Sequence, residues 1–184
     1  EFSLPDEAFV FTCQNGIQKI SPQVFSVWMQ VLQAVPASVL WLQKPSQWAI
    51  ENLKKEAKAY GVDDSRLVFL KREVASPEKE DARISKYLAC YRLADLFLDT
   101  WPYNAGTTAI DALWAGLPVI TKTGKSMVAR MATSALQAIE MPELITTNEK
   151  EYKKLAIELA TDKNKMVKIK EKLEKNRQIG RAHV

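Results

Sequence analysis

Apolar residues along this chain gather in short continuous runs, separated by longer stretches in which they recur every third or fourth position. Residues 8–13 (AFVFTC), 39–42 (VLWL), 67–70 (LVFL), 96–98 (LFL) and 117–121 (LPVIT) read as short apolar strands, and LFL has the continuous character of a strand covered on both faces. Ser21-Pro22 starts a helix with proline at its first position, and Phe25, Trp28, Met29 and Leu32 form its stripe until Pro36 approaches. A second helix runs from about Gln47 to Tyr60 and ends at Gly61. Ala109, Ile110, Ala112, Leu113 and Trp114 keep helical spacing until Gly116 can cap the end. Residues 127–139 predict a further helix, 142–144 a short turn, and 149–177 two C-terminal helices. The polar stretch 76–86 reads as a loop or helix start leading into Tyr87, Leu88, Tyr91 and Leu93. Five strands alternating with helices, with no hairpin signal between them, predict an α/β fold built on a doubly wound parallel sheet. Ligands of such sheets bind beyond the carboxyl ends of the strands, where Asn15, Lys19, Thr107 and Thr108 are expected.

Composition adds bounds. With 184 residues, 47% hydrophobic and 26% charged, the chain is long enough for one well-buried core. No apolar run approaches a membrane span, and the N-terminus lacks a signal-peptide layout, so a cytoplasmic chain without membrane partners is expected. Glu1 in place of methionine points to a fragment. Much of the +4 net charge sits between Lys153 and Arg177, where Met166, Ile169 and Leu173 keep an apolar stripe between lysines. That is a solvated amphipathic helix, and without aromatic interleaving it gives no nucleic-acid partner. Cys13 and Cys90 suit neither a metal knuckle nor a disulfide framework. The last six residues, IGRAHV, back-translate as ATC GGA AGA GCA CAC GTC, which resembles a sequencing-adapter oligonucleotide. The fold is therefore read over residues 1–178, with 179–184 set aside as an artefact. His183, the one histidine, goes with them, so histidine-based triads and metal sites are not expected.

The candidate chemistry lies in ADLFLDTWPYNAGTTAIDALWAGLP, residues 94–118. A helix start presents unpaired N–H groups and the positive end of a dipole, so Gly106 followed by Thr107 and Thr108 suits a phosphate or diphosphate. Asp111 falls on the same helix face and suits sugar hydroxyls. The same residues also fit a plain N-cap at Thr107 and a first-turn acid. Lys19, placed directly after the first strand, faces the same crevice or is a solvated lysine; in the crevice it would neutralise charge on a departing diphosphate. Gly124-Lys125-Ser126 is not a phosphate loop, because Val119 stands where that motif needs glycine, and Lys125 reads as a first-turn residue of the following helix. No GxGxxG follows the first strand.

Three segments together resemble one family: LADLFLDTWPYNAGTTAIDALWAGLPVIT, KISPQVFSVWMQVLQAVPASVLWL and RMATSALQAIEMPELIT. The chain resembles, from about Phe9 to Arg177, the C-terminal catalytic half of the O-GlcNAc transferase and SPINDLY-type glycosyltransferases, family 41, in the flavour of bacterial members carrying tetratricopeptide repeats. The resemblance implies a Rossmann-like C-terminal lobe of a GT-B enzyme that binds a UDP-sugar without cofactor or metal. It implies that Lys19 contacts the donor diphosphate and is catalytic, that Thr107 and Thr108 bind diphosphate through the helix start, and that Asp111 contacts the ribose. Gly106 and Asn15 join the expected UDP-binding set. Animal members have a histidine where this chain has Gly106 and a glutamine where it has Gly16; the histidine and arginine that cradle uracil there fall on Tyr87 and Cys90, and Tyr87 could stack on the base.

The implied reaction is inverting transfer, from UDP-GlcNAc to a protein Ser or Thr hydroxyl. The partners are then a UDP-sugar, a protein acceptor, a first catalytic lobe and upstream repeats, and residues 1–178 alone are expected to bind UDP without turnover. The competing readings are an asparagine-linked or small-molecule UDP-hexosyltransferase of the same family, and a non-catalytic scaffold lobe.

Overall fold

A computed structural model describes residues 7–70 and 88–178. The stretch 76–86, Tyr87 and residues 179–184 lie outside the described residues. The strands are β1 (Phe9–Cys13), β2 (Ser38–Gln43), β3 (Leu67–Leu70), β4 (Leu96–Leu98), β5 (Val119–Lys122) and β6 (Ile145–Thr146). The longer helices are α1 (Pro22–Ala34), α2 (Gln47–Ala59), α3 (Thr107–Trp114), α4 (Met131–Ala138), α5 (Glu149–Thr161) and α6 (Lys163–Asn176).

All neighbouring strands pair in parallel, in the order β3-β2-β1-β4-β5-β6. The expected doubly wound α/β sheet is therefore present, with six strands among the described residues rather than five. The sixth is only two residues long, too short for any periodicity to reveal. Phe11, Leu40, Leu96, Phe97, Leu98 and Ile120 are all fully buried along the sheet, as expected for parallel strands covered on both sides.

The strand order reverses between β1 and β4. From β1 the chain steps to β2 in one direction, and from β4 to β5 in the other. Because parallel crossovers are right-handed, α1 and α3 fall on opposite faces. Between them, outside the carboxyl ends of β1 and β4, a crevice opens where ligands of such sheets sit. Trp28 of α1 and Tyr152 of α5 are fully buried beneath it. The Trp28 indole N–H donates to the Tyr152 hydroxyl (3.4 Å), which donates to the carbonyl of Asp99 (2.9 Å).

Local chemistry sets the helix ends. Ser21 caps α1, its hydroxyl accepting from the Val24 N–H at 3.3 Å with Pro22 in the first turn. Asp162 ends α5 and caps α6 through the Lys165 N–H. The helix expected at 127–139 begins only at Met131, because Ser126–Arg130 closes on itself: the N–H of Ala129 reaches the Ser126 carbonyl and that of Gly124 the Ala129 carbonyl. Lys125 accordingly sits in the loop before α4, not in its first turn.

α3 ends in a Schellman motif, with the N–H of Leu117 bonded to the Ala112 carbonyl and that of Gly116 to the Leu113 carbonyl. Gly116 has φ of 88°, a conformation that disfavours any Cβ. Gly116→Ala is expected to lower stability by about 1–2 kcal/mol, read as a lower denaturant midpoint at unchanged slope. The space around a Cβ there is open, with the nearest atoms at 3.8 and 3.9 Å on Glu174 and Arg177. An unchanged midpoint would show that the backbone relaxes. Among the described residues no helix is long and apolar enough to cross a membrane.

Candidate functional site

The crevice is built from two loops. One follows β1 and carries Asn15 and Lys19; the other follows β4 and runs from Asp99 to Thr108. Lys19 ends a short 3-10 turn, Ile17–Lys19, and its side chain crosses to the second loop. There Nζ donates to the Asn104 carbonyl at 3.1 Å and lies 4.0 Å from the centroid of the Tyr103 ring. Desolvation pulls the ammonium below the ordinary lysine value, while the negative potential of Asp99 and then Cys13 works the other way. The result is a partly desolvated cation held against the second loop beside the helix start, not a fully solvated surface lysine.

Asp99 organises the second loop. It is wholly buried at the end of β4, where Oδ1 accepts from the N–H groups of Thr100 and Ala105, each at 2.7 Å. Oδ2 faces the Thr121 hydroxyl at 2.6 Å. Burial pushes the carboxyl up to about 7 although the four groups donating to it, the Asn15 amide included, pull it down. Sequence reasoning assigned Asp99 no role. A carboxylate directly after the apolar run LFL was the available signal, since a buried acid has to be met by donors.

Asn15 joins the two loops. Its Nδ2 donates to Thr100 Oγ1 at 2.8 Å and, more distantly, to Asp99 Oδ1 at 3.4 Å, while its Oδ1 accepts from the Thr108 hydroxyl at 2.6 Å. Asn15 is therefore buried and braces Thr108 at the helix start. Thr100, in turn, donates to the Tyr103 carbonyl (2.7 Å), and Asn104 donates to the Thr100 carbonyl (2.8 Å). The tight turn 100–104 is fixed by its own side chains.

α3 starts at Thr107, with Gly106 rather than Thr107 in the capping position and no side chain capping it. The plain N-cap reading of Thr107 is thereby corrected. The Gly106 carbonyl receives the N–H groups of Ala109 and Ile110. The N–H groups of Thr107 and Thr108 precede the first intrahelical bond and face the crevice end of the helix. Thr107 is exposed and Thr108 half-buried, so a hydroxyl and two amides stand ready for an anion. Asp111 lies one turn further along and is half-buried.

The structure thus brings Lys19, Asn15, Gly106, Thr107 and Thr108 around one crevice, with Asp111 on the same helix. Tyr87 lies outside the described residues. Cys90, at the neighbouring expected base position, is half-buried. Among the described residues no three His, Cys, Asp or Glu side chains cluster as metal ligands.

Comparison with known proteins gives this geometry a family context. The sequence pattern of Glycosyl transferase family 41 matches residues 1–182. A UDP-N-acetylglucosamine–peptide N-acetylglucosaminyltransferase of Caenorhabditis elegans is 36% identical over 173 residues, covering 94% of this chain and 14% of that protein. The Arabidopsis thaliana protein described as the probable transferase SEC is 31% identical over 178 residues, covering 96% of this chain and 17% of its own length. Among solved structures, a mutant Thermobaculum terrenum O-GlcNAc transferase superposes with a TM-score of 0.83 at 29% identity, over 97% of this chain and 33% of that one. The lipopolysaccharide glycosyltransferase WaaG, at 15% identity and a TM-score of 0.66, shares the fold. The chain spans less than a fifth of either curated relative.

Proposed function

The chain belongs to glycosyl transferase family 41, and from that premise and the crevice geometry we propose that it is the donor-binding, C-terminal lobe of a UDP-sugar-dependent protein O-GlcNAc transferase. The observation that carries this reading is the convergence of Lys19 and the α3 N-terminus on one loop, bracketed from behind by Asn15. Both offer positive potential to one anion. In the reaction, a Ser or Thr hydroxyl attacks the anomeric carbon in line while UDP departs, inverting the configuration. Charge then builds on the diphosphate, and stabilising it is the principal task of this lobe. Lys19 supplies a cation, and the N–H groups of Thr107 and Thr108 supply fixed dipoles. Asp111 accepts from the ribose hydroxyls. The acceptor side, a first lobe and tetratricopeptide repeats belong to the remainder of the protein, in keeping with relatives several times longer than this chain.

The Thr108 hydroxyl already donates to Asn15, so its part is to fix the helix start. Thr108→Val in the full-length protein removes that bond, leaves the Asn15 carbonyl oxygen unpaired and is expected to weaken UDP five- to tenfold, on the order of 1 kcal/mol. Isothermal titration calorimetry measures it. A parent protein that fails to bind UDP would reduce the lobe to a scaffold. An unchanged affinity in the variant would remove Thr108 from the site.

A further inference from the structure

Two side chains close on the 103–106 loop from opposite sides. Lys19 comes from the β1 side, onto Tyr103 and Asn104. Met131, the first residue of α4, comes from the β5 side onto Gly106. A Cβ built on Gly106 would stand 2.6 Å from Met131 Cε and 3.8 Å from its sulfur. Position 106 and Met131 therefore compete for one space, and the glycine leaves it to the methionine. Met131 is 37% exposed, and Met127, at the start of the turn that leads into α4, is 74% exposed. Neither is core filling, and Met131 lies against the helix start at Gly106.

On the nucleotide-sugar reading above, contacts along α3 follow the order of the ligand. Ribose lies at Asp111, diphosphate at Thr107 and Thr108, and the hexose must continue past Gly106, toward Met131. We propose that Met131 is the wall of the hexose subsite and a specificity-determining residue for the donor sugar. An unbranched, polarizable thioether suits the apolar edge of a sugar ring, and its three rotatable bonds let it follow different substituents. The bare Cα at position 106 is what admits it. Substitution at Met131 then changes the recognition of the hexose and not that of UDP.

The test titrates UDP and UDP-GlcNAc into the full-length parent, Met131→Ala, Met131→Leu and Met131→Phe, and measures turnover with UDP-GlcNAc and UDP-glucose. UDP affinity is expected to stay within twofold in all three variants. Met131→Phe should weaken UDP-GlcNAc at least tenfold, and Met131→Ala should shift the ratio of kcat/KM between the two donors at least fivefold. Met131→Leu, close in volume, should stay nearest the parent and serves as the fold-preserving comparison if alanine lowers the melting temperature. An unchanged donor ratio in Met131→Ala and Met131→Phe overturns the proposal. Equal losses for UDP and UDP-GlcNAc overturn it too, since the contact would then be to the diphosphate or to the fold. A parent that binds no UDP sinks the underlying nucleotide reading instead, a result distinct from the other two.

Discussion

Replacing Lys19 by alanine in the full-length protein is expected to lower turnover about 10²-fold or more, the scale of a single electrostatic contact to a developing charge in a water-poor site. The reasoning rests on how the ammonium is held. Its two contacts, a carbonyl at 3.1 Å and an aromatic face at 4.0 Å, are neutral, and desolvation already makes the free amine easier to form. A cation in such surroundings gains most when an anion arrives, and more as the diphosphate accumulates charge on departure. The loss should therefore fall mainly on kcat, with UDP binding reduced much less. The fold should be little affected, because the side chain is only half-buried and its one hydrogen bond is to a loop carbonyl. Near-normal turnover in this variant would remove Lys19 from the chemistry, and a loss confined to KM would make it a ground-state contact.

Asp99 carries the second large expectation. In Asp99→Ala, the N–H groups of Thr100 and Ala105 and the Thr121 hydroxyl lose their acceptor inside the protein. Buried groups left unpaired cost about 1–3 kcal/mol each, so a loss of about 3 kcal/mol or more is expected, with UDP binding lost alongside because the 100–106 loop no longer holds its turn. Asp99→Asn distinguishes charge from geometry. An amide oxygen can take the place of Oδ1, and the amide nitrogen can donate to Thr121. The carboxyl is raised from 3.8 to about 7 in the folded chain. Below 3.8 both states are protonated and the contribution is fully present. Between 3.8 and 7 only the unfolded chain releases the proton, so this contribution to stability falls as pH rises and levels off above 7. Chemical denaturation from pH 4.5 to 8 should show this fall in the parent relative to Asp99→Asn. Parallel profiles would mean that Asp99 is ionised throughout.

Much of the architecture was legible because burial leaves a strong trace in the pattern. LFL, LVFL and VLWL carry only apolar residues, and the chain has to cover both of their faces. Ser21-Pro22 and Gly116 likewise state their helix ends locally. What escaped was governed by contacts distant in sequence. β6 exists because Thr121 and Lys122 offer an edge to Ile145 and Thr146, and nothing within two residues can announce that. The apolar spacing from Met127 suggested a longer helix, yet a turn closed by the Ala129 carbonyl takes precedence until Met131. At the site, Lys19, Gly106, Thr107 and Thr108 were visible as residue types suited to an anion. Asp99 was not, because its role consists entirely of partners brought to it by folding. Asn15 was expected at the ligand, and the structure shows it buried and bonded to Thr100 and Thr108.

The junction between β1 and β4 also bears on how the chain is assembled. β1, α1 and β2 are consecutive and close over short loops, whereas the bonds from Asn15 to Thr100 and from Lys19 to Asn104 each span 85 residues. Closing a loop of that length costs more entropy than closing either neighbouring crossover, so the two halves of the sheet can gain their own structure before they dock. The crevice exists only after that docking. On the donor-binding proposal, a nucleotide bound there would fasten the seam between halves and stabilise the docked form by mass action, by about 2.7 kcal/mol at a hundredfold excess over Kd. That proposal then links abundance of the sugar donor and survival of the folded protein through the same few residues.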